Sequence, residues 1–299
     1  MEKIKILLDT DIGSDIDDTL CLSYLLSQPH CDLMGITTVS GEAERRAELA
    51  DHICTEAGYS VPVFPGATEP LYGTQKQPLA QLAQVVRKYH SRAVFPQGKA
   101  IDFMQKTIRE NPGKITLLCI GPLTNVAQLF TMYLDIPGLL KQLVMMCGVF
   151  HYRLPGLEDF DVEWNASVDP VATSIVYNTD VAVHRSVGLD VTCQLVMEKS
   201  DLLKQLDNTA FSSVKSQVEQ FSYHNSIFFH DPLAAVSIFE DSVCTFEDGR
   251  VTVSDTQHKF PGKTIWSPDM RMAHEVATDV NSKAFFNHFF ETLAINTGS

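Results

Sequence analysis

Cations are scarce in this 299-residue sequence: 23 lysines and arginines face 37 aspartates and glutamates, for a formal charge of −14. The basic residues gather only in short groups such as Arg45-Arg46. Nucleic acid and anionic membrane are therefore not expected as partners. Also missing is any uncharged apolar run of membrane-spanning length. Met1 leads into a charged residue and a strand-like segment, without the apolar core and small-residue cleavage site of a secretory leader; the expectation is a cytoplasmic protein. The seven cysteines (Cys21, Cys31, Cys54, Cys119, Cys147, Cys193 and Cys244) are odd in number, scattered and never in a CxxC pair. They read as reduced core filler, with neither zinc nor a disulfide framework implied. Linkers rich in Pro, Gly or Ser, low-complexity tracts and internal repeats are absent too. With 44% hydrophobic residues the chain can bury a large core, and residues 1–299 are expected to form one domain.

What is abundant is acid near the start. Asp9-Thr10-Asp11-Ile12-Gly13-Ser14-Asp15-Ile16-Asp17-Asp18 holds five carboxylates in ten residues with no cation among them, directly after the apolar run Ile4 to Leu8. Such a cluster repels itself unless something positive sits within it. A hard divalent cation with oxygen ligands is the simplest answer, because Mg²⁺ and Ca²⁺ need no Cys or His. Capping and the helix dipole would favour Ser14, Asp15, Asp17 and Asp18 at a helix start for stability alone. That alternative does not account for Asp9 and Asp11 on the strand side. An EF-hand is excluded, since Gly13 falls on a ligand position and Leu20 stands where the closing Glu belongs.

Short apolar runs alternate with helical patterns along the chain. Ile4–Leu8, Leu33–Val39, Ile115–Ile120, Leu143–Cys147 and Val181–Val187 are nearly continuous in apolar character, as strands buried on both faces are. Helices are predicted for Leu20 to Leu26, Ala43 to Ala57 stopped by Gly58, Ala100 to Glu110 before Pro112, and Thr124 to Tyr133. The alternation indicates an α/β fold, a mainly parallel open sheet with helices on both faces. In the last third we expect a helical stretch from Asp201 to about Phe228, an N-cap with following proline at Asp231-Pro232, a hairpin over Val243–Ser254 turned at Asp248-Gly249, and a closing helix over Ala273–Ala294. Phe285, Phe286, Phe289 and Phe290 fall at helical spacing and suit core or subunit contact.

Polar groups recur where these strands end, the place for a ligand in an open α/β sheet: Gly121-Pro122-Leu123-Thr124-Asn125 after Ile120, Gly148 after Cys147, then Glu163-Trp164-Asn165 and His230-Asp231-Pro232. Taken together and in order, DTDIGSDIDD, IGPLTN, MMCG, EWN ahead of VDP, and the late HDP resemble the inosine–uridine-preferring nucleoside hydrolase family, over Lys5 to about Ala235. The resemblance implies a single α/β domain, one bound Ca²⁺, and hydrolysis of the N-glycosidic bond of ribonucleosides to ribose and free base by a homodimer or homotetramer. By motif, Asp11 would be a metal ligand and the base that deprotonates the attacking water. Asp18, Asp231 and the carbonyl of Ile120 would complete the metal set. Asp17, Glu163 and Asn165, with contact from Met146, would hold the ribose, and His230 would stand near the leaving base.

The residue types suit that chemistry independently. Breaking a glycosidic C–N bond through an oxocarbenium-like transition state needs an activated water, negative charge near the developing cation, and help for the departing base. Ca²⁺ lowers the pKa of a bound water and can template ribose oxygens, Asp11 can take the proton, and an imidazole such as His230 is the side chain most easily tuned to give one near neutrality. Taken alone, Asp231 and Asp169 before their prolines suit helix caps, and Asn125 suits a turn brace.

The sequence also departs from the family pattern. Ile12 replaces a proline, and the inserted Asp15-Ile16 leaves the ligand choice among Asp15, Asp17 and Asp18 open by one position. Gly41-Glu42 replaces Gly-Asn, the segment from Gly148 to Glu163 is long, and no His-bearing loop is evident in Leu71–Leu79. Two other readings are carried. An Mg²⁺-dependent phosphatase of the haloacid-dehalogenase type would use Asp9 as nucleophile and Asp11 as acid/base, although Gly13 sits where it expects Thr or Val. A calcium-dependent ribose or nucleoside binder without turnover is suggested by Glu42.

Overall fold

A computed structural model describes residues 2–88, 95–150, 162–207, 209–268 and 274–294. The strands are β1 (Ile4–Thr10), β2 (Cys31–Thr38), β3 (Val63–Pro65), β4 (Ile115–Cys119), β5 (Gln142–Met146), β6 (His184–Val187), β7 (Val196–Glu198), β8 (Ser226–Phe228), β9 (Cys244–Val253), β10 (Thr264–Pro268) and β11 (His274–Val280). Nine of them form one open sheet in the order β10-β9-β11-β6-β5-β4-β1-β2-β3, while β7 and β8 pair separately. From β3 through β6 to β11 the pairing is parallel; β9 runs antiparallel to both β11 and β10.

The continuous apolar runs are explained by two separate cores. Along β1, Ile6 and Leu8 join one cluster with helices Asp17–Ser27, Ala43–Glu56 and Ser282–Ala294, while Leu7 joins the other with helices Ala100–Glu110, Thr124–Met132 and Pro170–Tyr177. Strands β4 and β5 alternate in the same way, Leu118 and Val144 to one side, Leu117 and Leu143 to the other. Successive side chains point to opposite faces, so a strand covered on both sides reads as a nearly continuous apolar run. Phe285 and Phe289 are buried, and the ring of Phe229 meets all four phenylalanines of the last helix edge-on.

The last third differs from the sequence expectation in four places. The predicted long helix is two, Lys199–Leu206 and Ser212–Gln220, followed by strand β8. The predicted hairpin is one uninterrupted strand, β9, running through Asp248-Gly249 with β10 and β11 on its two sides. The predicted closing helix is a strand, β11, and then helix Ser282–Ala294. Asp231 lies inside the first turn of helix His230–Val236, whose N-cap is Phe229. The long segment before Glu163 lies mostly outside the described residues, at 151–161.

At the start of β6, His184 is wholly buried, stacked on Tyr177 at 5.2 Å and edge-on to His274 at 4.5 Å. Neither ring nitrogen has a hydrogen-bond partner among the described residues. Burial therefore pushes its pKa well below the usual 6.5. A native imidazole that stays neutral while the unfolded chain takes up a proton loses stability as pH falls below the unfolded value. The expected cost is about 1.4 kcal/mol per pH unit per proton below about pH 6.5. His184→Phe, which keeps the stacked ring, is expected to lower that acid-side slope by one proton, as measured by urea unfolding across pH.

Candidate active site

Strands leave β1 in two directions: β2 and β3 on one side, β4, β5 and β6 on the other. The crevice opens at that switch point, between the carboxyl ends of β1 and β4. There Ile120 N donates to Asp9 O at 2.9 Å, bringing Asp11 beside the turn after β4. The approach is close enough to require Gly121: a Cβ there would lie 2.8 Å from both N and Oδ1 of Asp11. Gly13, at φ +107°, lets the chain turn from β1 into helix Asp17–Ser27.

That helix starts at Ile16 with no side-chain cap. Capping therefore does not explain Asp17 and Asp18. Asp15 accepts the N–H of Ile16, and Asp18 accepts the hydroxyl of Thr10. Helix His230–Val236 packs across helix Asp17–Ser27 and delivers Asp231. Carboxylate oxygens of Asp17, Asp18 and Asp231 all fall within 4.8 Å of one another, and all three residues are buried. Burial first, then repulsion from neighbouring carboxylates, Asp11 among them, pushes each of their pKa values well up. Asp11, 5% exposed, is raised to about 6 by burial, opposed by the charge of Arg46. A set of clustered, desolvated carboxylates either binds protons or holds a cation, and this all-oxygen donor set fits a hard divalent ion.

A cavity of about 570 Å³ is lined by all the predicted site residues: Asp11, Asp17, Asp18, Ile120, Met146, Glu163, Asn165, His230 and Asp231. Glu163 caps helix Trp164–Val168, accepting from the N–H groups of Asn165 and Ala166, and it also accepts from Gly148 N at 3.1 Å. Burial raises its carboxyl to about 7. Asn165 donates to the carbonyls of Ile120 and Met146, each at 3.1 Å, so the Ile120 oxygen shares its acceptor capacity. His230 lies parallel to Phe228 with Nδ1 2.8 Å from the Thr192 hydroxyl. Burial pushes its pKa down to about 4. The imidazole is thus neutral at ordinary pH, contrary to the expected proton donor poised near neutrality.

Asp9 is wholly buried and does not reach the cavity; its Oδ1 accepts from Thr37 and Asn125. It cannot be the nucleophile of a phosphatase. Asn125 braces the turn, also donating to Thr38 O at 3.0 Å and accepting from Ala67 N. Asp169 is a cap, accepting from Ala172 N. Glu42 faces away from the cavity, accepting from Ala80 N at 3.0 Å and pairing with Arg45 at 3.4 Å. Where a His-bearing loop was sought, Gln77 lines the cavity and accepts from Trp164 Nε1 at 2.8 Å.

Sequence reading missed the rim residues Gln77, Gln81, Phe221, Tyr223 and His224, which carry no motif; Trp164, on the same rim, is the middle residue of the EWN triplet. It also missed Arg46. One signal was there: Ala43, Arg46, Ala47, Ala50, Ile53 and Cys54 share one helical face, all buried, so an arginine stands in an apolar stripe.

Comparison with known proteins bears on the same site. The profile of the inosine-uridine preferring nucleoside hydrolases matches residues 6–287. Uridine nucleosidase 1 of Arabidopsis thaliana is 28% identical over 291 residues, covering 89% of this chain and 83% of the relative. A pyrimidine-specific ribonucleoside hydrolase of Escherichia coli is 30% identical over 206 residues, 66% of this chain and 63% of its own. Among solved structures, a plant nucleoside hydrolase superposes with a TM-score of 0.83 at 23% identity, covering 97% and 99% of the two chains. A purine-preferring ribonucleoside hydrolase from Gardnerella vaginalis gives 0.80 at 23% identity, covering 98% and 99%. Those two likenesses show a shared fold. The profile match, which takes in every strand and every carboxylate of the cavity, goes further: the chain belongs to the inosine-uridine preferring nucleoside hydrolase family, N-glycosidases that act on ribonucleosides.

Proposed function

We propose that the protein hydrolyses ribonucleosides to ribose and free base with one Ca²⁺, held by Asp11, Asp18, Asp231 and the Ile120 carbonyl. The observation that carries this reading is the convergence of Asp17, Asp18 and Asp231 within 4.8 Å in a cavity that also presents Asp11, Glu163, Asn165 and His230. When bound, the ion supplies a lowered water pKa and a template for ribose oxygens. Asp11 accepts the proton of the attacking water as its oxygen closes on the anomeric carbon. The C–N bond breaks with its electron pair going to the base. Asp17 holds the ribose hydroxyls, and its negative charge favours the oxocarbenium-like transition state. Glu163 and Asn165, fixed by their main-chain hydrogen bonds, shape the ribose wall against Met146. A Thr192 hydroxyl that donates to Nδ1, 2.8 Å away, would leave the proton of His230 on Nε2, to be offered as a hydrogen bond to the departing base. The binder without turnover loses its motivation, because Glu42 lies outside the cavity.

The same reading carries a cytoplasmic homodimer or homotetramer, to be checked by sedimentation; among the described residues no helix is long and apolar enough to cross a membrane. The deciding experiment is release of reducing sugar from a panel of purine and pyrimidine ribonucleosides in the presence of calcium. Turnover of at least one nucleoside is expected. Failure of all of them with calcium bound would remove the hydrolase reading.

A further inference from the structure

Arg46 is the most deeply buried cation of the described residues, with no exposed surface. None of its hydrogen bonds goes to a carboxylate. Nε donates to Ser40 O at 2.7 Å. Nη1 donates to the carbonyls of Asp11 and Ile12 and to the Ser14 hydroxyl. Nη2 reaches the carbonyls of Gln77 and Leu79 at 3.3 and 3.5 Å. One guanidinium therefore ties three chain segments together: the end of β2, the acidic turn after β1, and the loop over residues 77–79.

The contacts continue past the guanidinium. Ser14 Oγ donates to Leu79 O and Leu82 N to Gly13 O, sealing the acidic turn to the same loop. At Gly41 a Cβ would lie 2.4 Å from Gln77 O, so the loop presses on the main chain there too. From that loop the Gln77 side chain accepts the indole N–H of Trp164, and Lys76 Nζ donates to Ser167 O at 2.6 Å. Trp164 stands between Glu163 and Asn165.

We propose that Arg46 is a positioning residue for the hydrolysis, fixing the turn that carries Asp11 against the loop that carries Gln77 and, through the Gln77–Trp164 hydrogen bond, against the wall that carries Glu163 and Asn165. This rests on the hydrolase reading above. A planar fork with donors on three nitrogens can hold several carbonyls at fixed angles, which an ammonium on a flexible stem cannot. A small displacement of a reacting group can cost about 10²-fold in rate, while binding of the unreacted substrate through other contacts changes little.

The test uses the full chain carrying Arg46→Gln or Arg46→Lys. In the calcium-loaded enzyme, Arg46→Gln is expected to lower kcat about 10²-fold with KM nearly unchanged, and Arg46→Lys to recover part of the loss. A second readout needs neither substrate nor calcium. Trp164 and Trp266 are the two tryptophans, so in a Trp266→Phe background the emission of Trp164 is seen alone. It is expected to move to longer wavelength and become more open to acrylamide quenching when Arg46 is replaced. A merely structural arginine would lower the melting temperature and leave kcat and emission of the folded protein as they were; that result overturns the proposal. Should Arg46→Gln not fold, Arg46→Lys decides, and wild-type kcat with wild-type emission there overturns it equally. If the parent enzyme itself releases no ribose, the hydrolase reading fails, while the emission comparison still reports on the clamp.

Discussion

Asp11→Ala is expected to reduce kcat for ribose release by about 10³-fold or more, while the protein stays folded. On the reading proposed above, two separate functions would end with this one side chain: a ligand of the ion and the acceptor of the water proton. The position tolerates the change structurally. Arg46 holds the main-chain carbonyl of Asp11 and not its carboxylate, so the turn keeps its anchor. In the ion-free protein the carboxyl is a liability, raised to about 6 by burial among other acids, and its removal relieves repulsion. Asp11→Ala without calcium is thus expected to melt no lower than the parent. Asp11→Asn, which keeps the shape and an oxygen but cannot take the proton, is expected to lose nearly as much activity. Ribose assays on purified, folded variants check both. Activity within tenfold of the parent would show that another group takes the water proton.

Removing divalent cations with EGTA is expected to abolish turnover and to be fully reversed by calcium. An ion that binds the folded state alone stabilises it by mass action, about 2.7 kcal/mol at 100 times Kd, roughly 4 °C in melting temperature for a chain of this size. The gain should be unusually visible here, because a bound ion would relieve the repulsion among the carboxylates of Asp11, Asp15, Asp17, Asp18 and Asp231. Asp18→Asn and Asp231→Asn are expected to lose both the calcium-dependent activity and the calcium-dependent melting shift. His230→Ala, which removes no carboxylate, is expected to keep the shift and lose only rate. Calorimetric melting with and without calcium separates these outcomes. A chelated enzyme that still turns over at the parent rate would place the ion outside the chemistry.

The centre of the sheet was legible in the sequence for one physical reason: β1, β4 and β5 are covered on both faces, so apolar residues run nearly unbroken through their middles. The edge was not. Asp248-Gly249 is a strong turn signal, yet β9 runs straight through it. Gly249 serves the packing instead; a Cβ there would sit 2.1 Å from Nε1 of Trp266. His274–Val280 was absorbed into the helical pattern of Ser282–Ala294 because the two adjoin without a glycine or proline between them, and what makes the first a strand is pairing with β6 and β9, which no local signal records. At the site, the carboxylates were legible because their repulsion demands an explanation. His230 was legible as a position and not as a charge state, since the burial that sets its pKa is tertiary. Arg46 looked like surface charge beside Arg45, and only its place on the apolar stripe told otherwise.

The packing of helix His230–Val236 across helix Asp17–Ser27 has a consequence for how the protein comes into being. The acids it joins lie more than 200 residues apart in the sequence, and a chain made from its N-terminus exposes Asp11, Asp17 and Asp18 long before Asp231 exists. Domains form as units during synthesis, and contacts so distant in sequence are slow to form. The nascent chain therefore carries half a nest of acids with no partner from the later helix. Helix His230–Val236 follows six of the nine strands of the main sheet, so on the reading proposed above a shorter ribosome-bound fragment would lack Asp231, and the ion site would mature only after most of the sheet has been made.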